Sequence, residues 1–288
     1  MTDTRPLAGA ERAGALRDEA REIAEGLVRE HGVQPRLVVV VATEDESTAW
    51  YVRSITRAAV KAGIACDTVR LPADAEPAAI RARLAELSAD PGVHGVILQT
   101  PLPPGASAAD LAGAIAPDKD VDGANPLSLG RLAAGLPAFA PATAEAVVSL
   151  LDAHGVALTG RGVAVVGRST VVGKPLAHLL LDRDATVTVC HSRTADLAAV
   201  TRSADIVVAA AGRAGLITAA HLAPGAVVVD VGTNPTDDGG LTGDVDAESV
   251  SGTAAALSPV PGGVGPVTTA LLLQHTALAA RRAVTAHQ

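Results

Sequence analysis

The sequence predicts an α/β protein of two domains, each built on a mostly parallel sheet, with the last helix returning to the first domain. Three observations carry this expectation. Short apolar runs alternate with segments of helical periodicity along most of the chain, the pattern that parallel sheets produce. A glycine-containing turn, Gly167 to Gly173, lies between a buried-looking strand and a helix in the second half. The length of 288 residues is enough for two cores of ordinary size.

The elements follow in order. Leu16, Ala20, Ile23 and Leu27 recur at helical spacing before Gly32, which predicts an amphipathic opening helix. A strand over 37–41 and a helix over 47–62 come next. Strands over 65–71 and 93–98 then flank a helix over 76–87. The proline-rich stretch 99–105 leaves the sheet as a loop at a strand end, where open α/β sheets place ligands. A linking helix over 143–154 opens a second alternation, with strands over 162–166, 186–190, 205–210 and 226–231. The Gly-Pro-rich stretch 259–266 makes a sharp crossing into a final helix over 266–282, expected to pack on the first domain. These boundaries divide the chain into a substrate domain (1–141 and 266–288) and a Rossmann-like dinucleotide domain (142–265).

Composition narrows the function. Apolar residues make up 48% of the chain, but no run approaches the roughly 18–20 that a membrane span needs. No export signal is visible at the N-terminus, so a cytoplasmic protein without membrane association is expected. A net charge of −8 and single Trp, Tyr and Phe residues argue against nucleic acid, which requires a basic stripe and stacking rings. Cys66 and Cys190 read as packing residues. His94, His154, His178 and His221 are scattered and read as caps or surface groups; no spacing suggests a metal. Trp50 reads as packing.

The turn Gly167-Arg168-Ser169-Thr170-Val171-Val172-Gly173 suits a pyrophosphate. Gly167 permits the tight turn, Gly173 permits close backbone approach, and the helix starting near Gly173 directs free N–H groups outward. The competing reading is an ordinary strand-to-helix turn, because the spacing is not G-x-G-x-x-G. At the end of the next strand, Cys190-His191-Ser192-Arg193 stands where an NAD site commonly has an acid. Arg193 and Ser192, with Arg168, can hold a 2′-phosphate, which favours NADP; alternatively Arg193 is a solvated surface charge.

With these residues in place, the chain resembles the methylenetetrahydrofolate dehydrogenase/cyclohydrolase family through nearly its whole length. The resemblance rests on Gly167 to Pro175, Thr188 to Thr194, Asp230 to Asn234, Gly243-Asp244-Val245 and the run Pro259 to Pro266. On the substrate side it rests on Gln99 to Pro103 and Pro117 to Gly123, followed by Pro126, Gly130 and Leu132. It implies a folate domain, a nucleotide domain, a cleft between them and a homodimer acting on a tetrahydrofolate one-carbon derivative. It implies Tyr51 stacking on the pterin, Asp122 accepting from the pterin amino and ring N–H groups, and Gln99 near the reacting carbon. Thr48, Pro101, Pro261, Gly262 and Gly263 complete the implied substrate contacts. Gly167, Arg168, Ser169, Gly173, His191, Ser192, Arg193 and Thr233 form the implied cofactor set.

One position departs. The family's tyrosine is followed four residues later by a catalytic lysine, and here that position is Ile55. Residues i and i+4 share a helical face, and the nearest cations, Arg53 and Arg57, aim elsewhere. Further departures gather on the folate side at Thr43, Glu44, Thr48, Thr100 and Ser128. The expectation is a dehydrogenase with weak or absent cyclohydrolase activity. A fully bifunctional enzyme, a relative acting on another one-carbon adduct and a silent ligand-binding protein are the alternatives.

Overall fold

The computed structural model describes residues 4–236 and 239–286. The strands in chain order are β1 (Arg5–Pro6), β2 (Arg36–Val41), β3 (Ala65–Arg70), β4 (Gly95–Leu98), β5 (Gly162–Val166), β6 (Thr186–Cys190), β7 (Ile206–Ala209), β8 (Val227–Asp230), β9 (Asn234–Pro235), β10 (Leu241–Thr242) and β11 (Ala256–Leu257). The helices are α1 (Ala10–His31), α2 (Glu46–Lys61), α3 (Pro77–Ala89), α4 (Ala108–Ala112), α5 (Pro126–Ala133), α6 (Ala142–Ala153), α7 (Gly173–Leu181), α8 (Leu197–Arg202), α9 (Ala247–Val250) and α10 (Val264–Ala286). Two compact units result, one ending at residue 13 and resuming over 143–268, the other covering 14–142 and 269 onward. Among the described residues no helix is long and apolar enough to cross a membrane.

The unit containing 14–142 is built on a parallel three-stranded sheet in the order β3-β2-β4. β2 is central and almost wholly apolar because both its faces are covered: Leu37 to Val41 are at most 2% exposed. Burial of each such side chain contributes about 1.5–3 kcal/mol. Ile80, Leu84 and Leu87 of α3 close one face against Val38, Val40 and Val96. β3 is an edge strand, and its exposed Asp67, Thr68 and Arg70 leave it a charged rim, with Arg36 paired to Asp67 at 2.7 Å.

The other unit holds a six-stranded sheet, β1-β11-β8-β7-β5-β6, in which every pairing is parallel. Chain order reverses at β5, which lies between β6 and β7, so the carboxyl ends of β5 and β7 flank the switch point of the sheet.

Three differences from the sequence reading have physical causes. Residues 4–9, placed above in the substrate domain, belong to the six-stranded unit: β1 pairs with β11, Leu7 N–H bonds Leu257 O at 2.9 Å, and the Leu7 side chain is fully buried. A two-residue strand has no periodicity to read. Trp50, expected to pack, is 59% exposed. His94, expected at the surface or as a cap, is buried and its Nδ1 accepts from Arg36 N–H at 3.1 Å. The last helix does enter the three-stranded unit, where buried His275 contacts Val121 O at 2.8 Å.

Candidate functional site

In the three-stranded unit the site grows from the start of α2. Asp45 caps the helix, its carboxylate accepting from Thr48 N–H at 2.7 Å and from the Thr48 hydroxyl at 2.8 Å. These bonds hold its carboxyl below the usual carboxylate range, with the Ser47 hydroxyl contributing most. Thr48 also lies 3.3 Å from the Thr100 carbonyl and is 5% exposed, so it tethers α2 to the loop after β4. Gln99 and exposed Pro101 sit on that loop, and Gln99 Nε2 donates to Thr100 O at 3.2 Å.

One turn into α2 stands half-buried Tyr51. Desolvation, with the nearby Asp122 charge, pushes its phenol up to about 12, and a hydrogen bond with the Thr269 hydroxyl opposes this. Asp122 lies on a pinned loop. Beside it, Asp120 is fully buried and accepts from Ala124 N–H at 3.0 Å and Asn125 N–H at 2.9 Å. Gly123 has φ +65°, and a Cβ there would meet the Ala140 carbonyl carbon at 2.4 Å, so no other residue fits. Burial and then the Asp120 charge raise the Asp122 carboxyl to about 7, with His275 acting in the opposite direction. Tyr51, Asp122 and Thr269 are thus brought together.

Ile55 is 0% exposed, in line with buried Thr48, Val52 and Ala59 on the inner stripe of α2, while Arg53 and Arg57 are exposed. No cation of α2 shares the inner stripe. Thr269 and His275 were not singled out from sequence. Thr269 shows as a polar residue in an apolar helix just after the Gly-Pro-rich run, whereas His275 has no local signal because its partner Val121 is far away in the chain.

The six-stranded unit assembles the other residues. Pro261, Gly262 and Gly263 belong here, at the start of α10: Gly262 O accepts from Gly9 N–H at 2.8 Å, and a Cβ on Gly263 would lie 2.8 Å from Pro259 O. The Gly167 turn follows β5. A Cβ on Gly167 (φ +142°) would meet Ala210 O at 2.1 Å, and one on Gly173 would meet Gly167 O at 2.1 Å. Both glycines are sterically required. Ser169 Oγ accepts from Val172 N–H at 3.1 Å, bracing the turn into α7. At the end of β6, His191 Nδ1 accepts from Arg193 N–H at 3.1 Å, while Ser192 and Arg193 are exposed, as are Arg168, Ser169 and Thr233.

A dinucleotide fits these residues. The glycine cradle admits no side chain, the α7 N-terminus follows it, and the β6 end offers a hydroxyl and a guanidinium with no carboxylate within the run His191 to Thr194.

Residues 7–122 match the family model described as tetrahydrofolate dehydrogenase/cyclohydrolase, catalytic domain, and residues 141–284 match its NAD(P)-binding domain. The chain belongs to the tetrahydrofolate dehydrogenase/cyclohydrolase family. It is 67% identical over 279 residues to bifunctional protein FolD 1 of Saccharopolyspora erythraea, covering 97% of this chain and 95% of that one. The crystal structure of the bifunctional dehydrogenase/cyclohydrolase FolD of Campylobacter jejuni superposes with a TM-score of 0.93 at 35% identity, covering 97% of this chain and 99% of that one. The Trypanosoma brucei enzyme, solved with NADP cofactor and an inhibitor, gives 0.93 at 36% identity, covering 99% of both chains.

Proposed function

We propose that this family member is an NADP-linked 5,10-methylenetetrahydrofolate dehydrogenase whose cyclohydrolase activity is weak or lost, and that it acts as a cytoplasmic homodimer. The observation that carries the reading is Ile55, fully buried one helical turn beyond Tyr51. When bound, the nicotinamide accepts a hydride from the methylene carbon, leaving a methenyl cation stabilised by its two flanking nitrogens. No proton moves in that step. The chain's task is orientation, for which Tyr51, Asp122, Gln99, Thr48 and Pro101 hold the folate. Gly167, Ser169, Gly173, His191 and Thr233 hold the dinucleotide, and Arg168, Ser192 and Arg193 its 2′-phosphate.

Hydrolysis asks for more. Water adds to the methenyl carbon and loses a proton; then, as the ring's carbon–nitrogen bond breaks, the hydroxyl proton leaves to form the formyl carbonyl and the freed nitrogen is protonated. Such proton transfers gain about 10²- to 10⁴-fold from a positioned acid or base, and isoleucine has no exchangeable proton. The Tyr51 phenol, raised to about 12, gives up its proton poorly at neutral pH. A fully bifunctional enzyme is the second reading, favoured by the bifunctional relatives and by Asp122, whose carboxyl, raised to about 7, can exchange a proton near neutrality.

Paired assays of NADP reduction and methenyltetrahydrofolate hydrolysis decide between them. Hydrolysis as fast as hydride transfer refutes the first reading, and no turnover of either folate refutes both. Light scattering of purified protein tests the dimer.

A further inference from the structure

The segment Gly243-Asp244-Val245 takes no part in the roles assigned so far, yet Asp244 is fully buried and its carboxylate gathers donors from two loops. Oδ2 accepts from Ala211 N–H at 2.6 Å and Gly212 N–H at 2.8 Å; Oδ1 accepts from Arg213 N–H at 2.8 Å and Asn234 Nδ2 at 2.9 Å. Three successive backbone N–H groups converging on one anion, with Gly212 at φ +65°, form a nest, the kind of concavity that elsewhere binds phosphate. Here an internal carboxylate fills it.

The loop held this way is the one that follows β7. Its first residue donates to Val166 O at 2.8 Å, and its carbonyl, Ala210 O, occupies the space that a Cβ on Gly167 would need. Residues 210–213 are therefore fixed on one side by the Gly167 turn and on the other by Asp244, at the point where sheet order reverses. Asn234 follows Thr233 directly, so the same carboxylate also holds the loop after β8. Asp230 anchors Asp244 in turn, accepting from Asp244 N–H and Val245 N–H, each at 2.9 Å. Gly243 and Gly232 leave room for these two carboxylates: a Cβ on Gly243 would lie 1.8 Å from Asp230 Oδ2, and one on Gly232 would lie 2.3 Å from Asp244 Oδ1.

We infer that Asp244 is a positioning residue for the dinucleotide: by filling the 211–213 nest it fixes both loops beside the Gly167 turn and leaves that turn as the pyrophosphate site. The inference rests on the functional reading above. The test is calorimetric NADP binding and steady-state kinetics on full-length wild type, D244A and D244N. A misplacement of about 1 Å can cost about 10²-fold in rate, so the expected result is folded D244A with kcat/KM for NADP lowered by about that factor and the NADP Kd and KM raised. The folate KM should stay unchanged, D244N should show a smaller loss, and formate, which fits the vacated nest, should restore D244A alone. A wild-type Kd in either folded variant overturns the assignment, as do equal losses for folate and cofactor, failure of formate to restore binding, or failure of both variants to fold. Wild-type protein that binds neither NADP nor NAD instead overturns the functional reading, and this inference with it.

Discussion

Ile55 lies one helical turn beyond Tyr51 on α2 and is wholly enclosed, while the Tyr51 phenol is held by the Thr269 hydroxyl. A side chain at this place faces the same way as the tyrosine but brings neither charge nor proton. Replacing it with lysine puts an amine into the buried stripe, where desolvation lowers its pKa toward neutrality. The Ile55→Lys variant should gain cyclohydrolase activity by about 10²- to 10⁴-fold with hydride transfer little changed. It should also lose about 1–3 kcal/mol of stability. Unaltered hydrolysis in a folded variant sinks the idea that Ile55 limits this reaction.

Asp122 sets a pH dependence. Its folded carboxyl titrates near 7, above the usual 3.8, because burial and Asp120 disfavour the charge. A raised folded pKa means that the native state holds the proton more tightly than the unfolded chain. Ionisation therefore costs nothing below the unfolded value, costs progressively more between about 4 and 7, and costs its full amount above 7. Asp122→Asn should raise the Tm more at pH 8 than at pH 5. The same variant should weaken folate binding, and an equal Tm gain at both pH values would show that the carboxyl is not perturbed.

Gly173→Ala should be damaging out of proportion to its size. The new methyl would stand 2.1 Å from Gly167 O, so the turn must open. Overpacking of this kind costs about 1–3 kcal/mol. Thermal unfolding should record that loss, and NADP titration should show weakened binding while folate binding is kept. A variant with wild-type NADP affinity would mean that the turn does not carry the pyrophosphate.

Arg193 tests cofactor choice. A charge-assisted hydrogen bond contributes about 1.5–3 kcal/mol, or roughly 10- to 150-fold in binding. Arg193→Ala should therefore lower kcat/KM for NADP by about that factor and leave the value for NAD nearly unchanged. Equal effects on the two cofactors would return Arg193 to the role of a solvated surface charge.

The alternation of strands and helices was legible because burial on a sheet and on a helix imprints different periods on a sequence, and 37–41 against β2 shows how closely they follow. Gly167 and Gly173 were legible too, since close backbone approach tolerates no side chain. The short pieces were not: β1, β9, β10 and β11 have two residues each, too few for any period. Trp50 is exposed where packing was expected, because a large apolar side chain at a helix start carries no mark of whether a neighbour covers it.

By itself the sequence determined the α/β class, the glycine turn, the absence of an acid in the run His191 to Thr194 after β6, and the i, i+4 relation that puts Ile55 behind Tyr51. All of these are local, set by spacings of a few residues. Tertiary structure alone decided that Arg5 and Pro6 join the six-stranded sheet, that Thr269 and Asp122 meet at Tyr51, and that Asp244 fills a nest made by residues 211–213. Those contacts join backbone and side-chain groups far apart in the chain, and such pairings leave no periodic trace: they exist only once the folded backbone brings donor and acceptor within hydrogen-bonding distance.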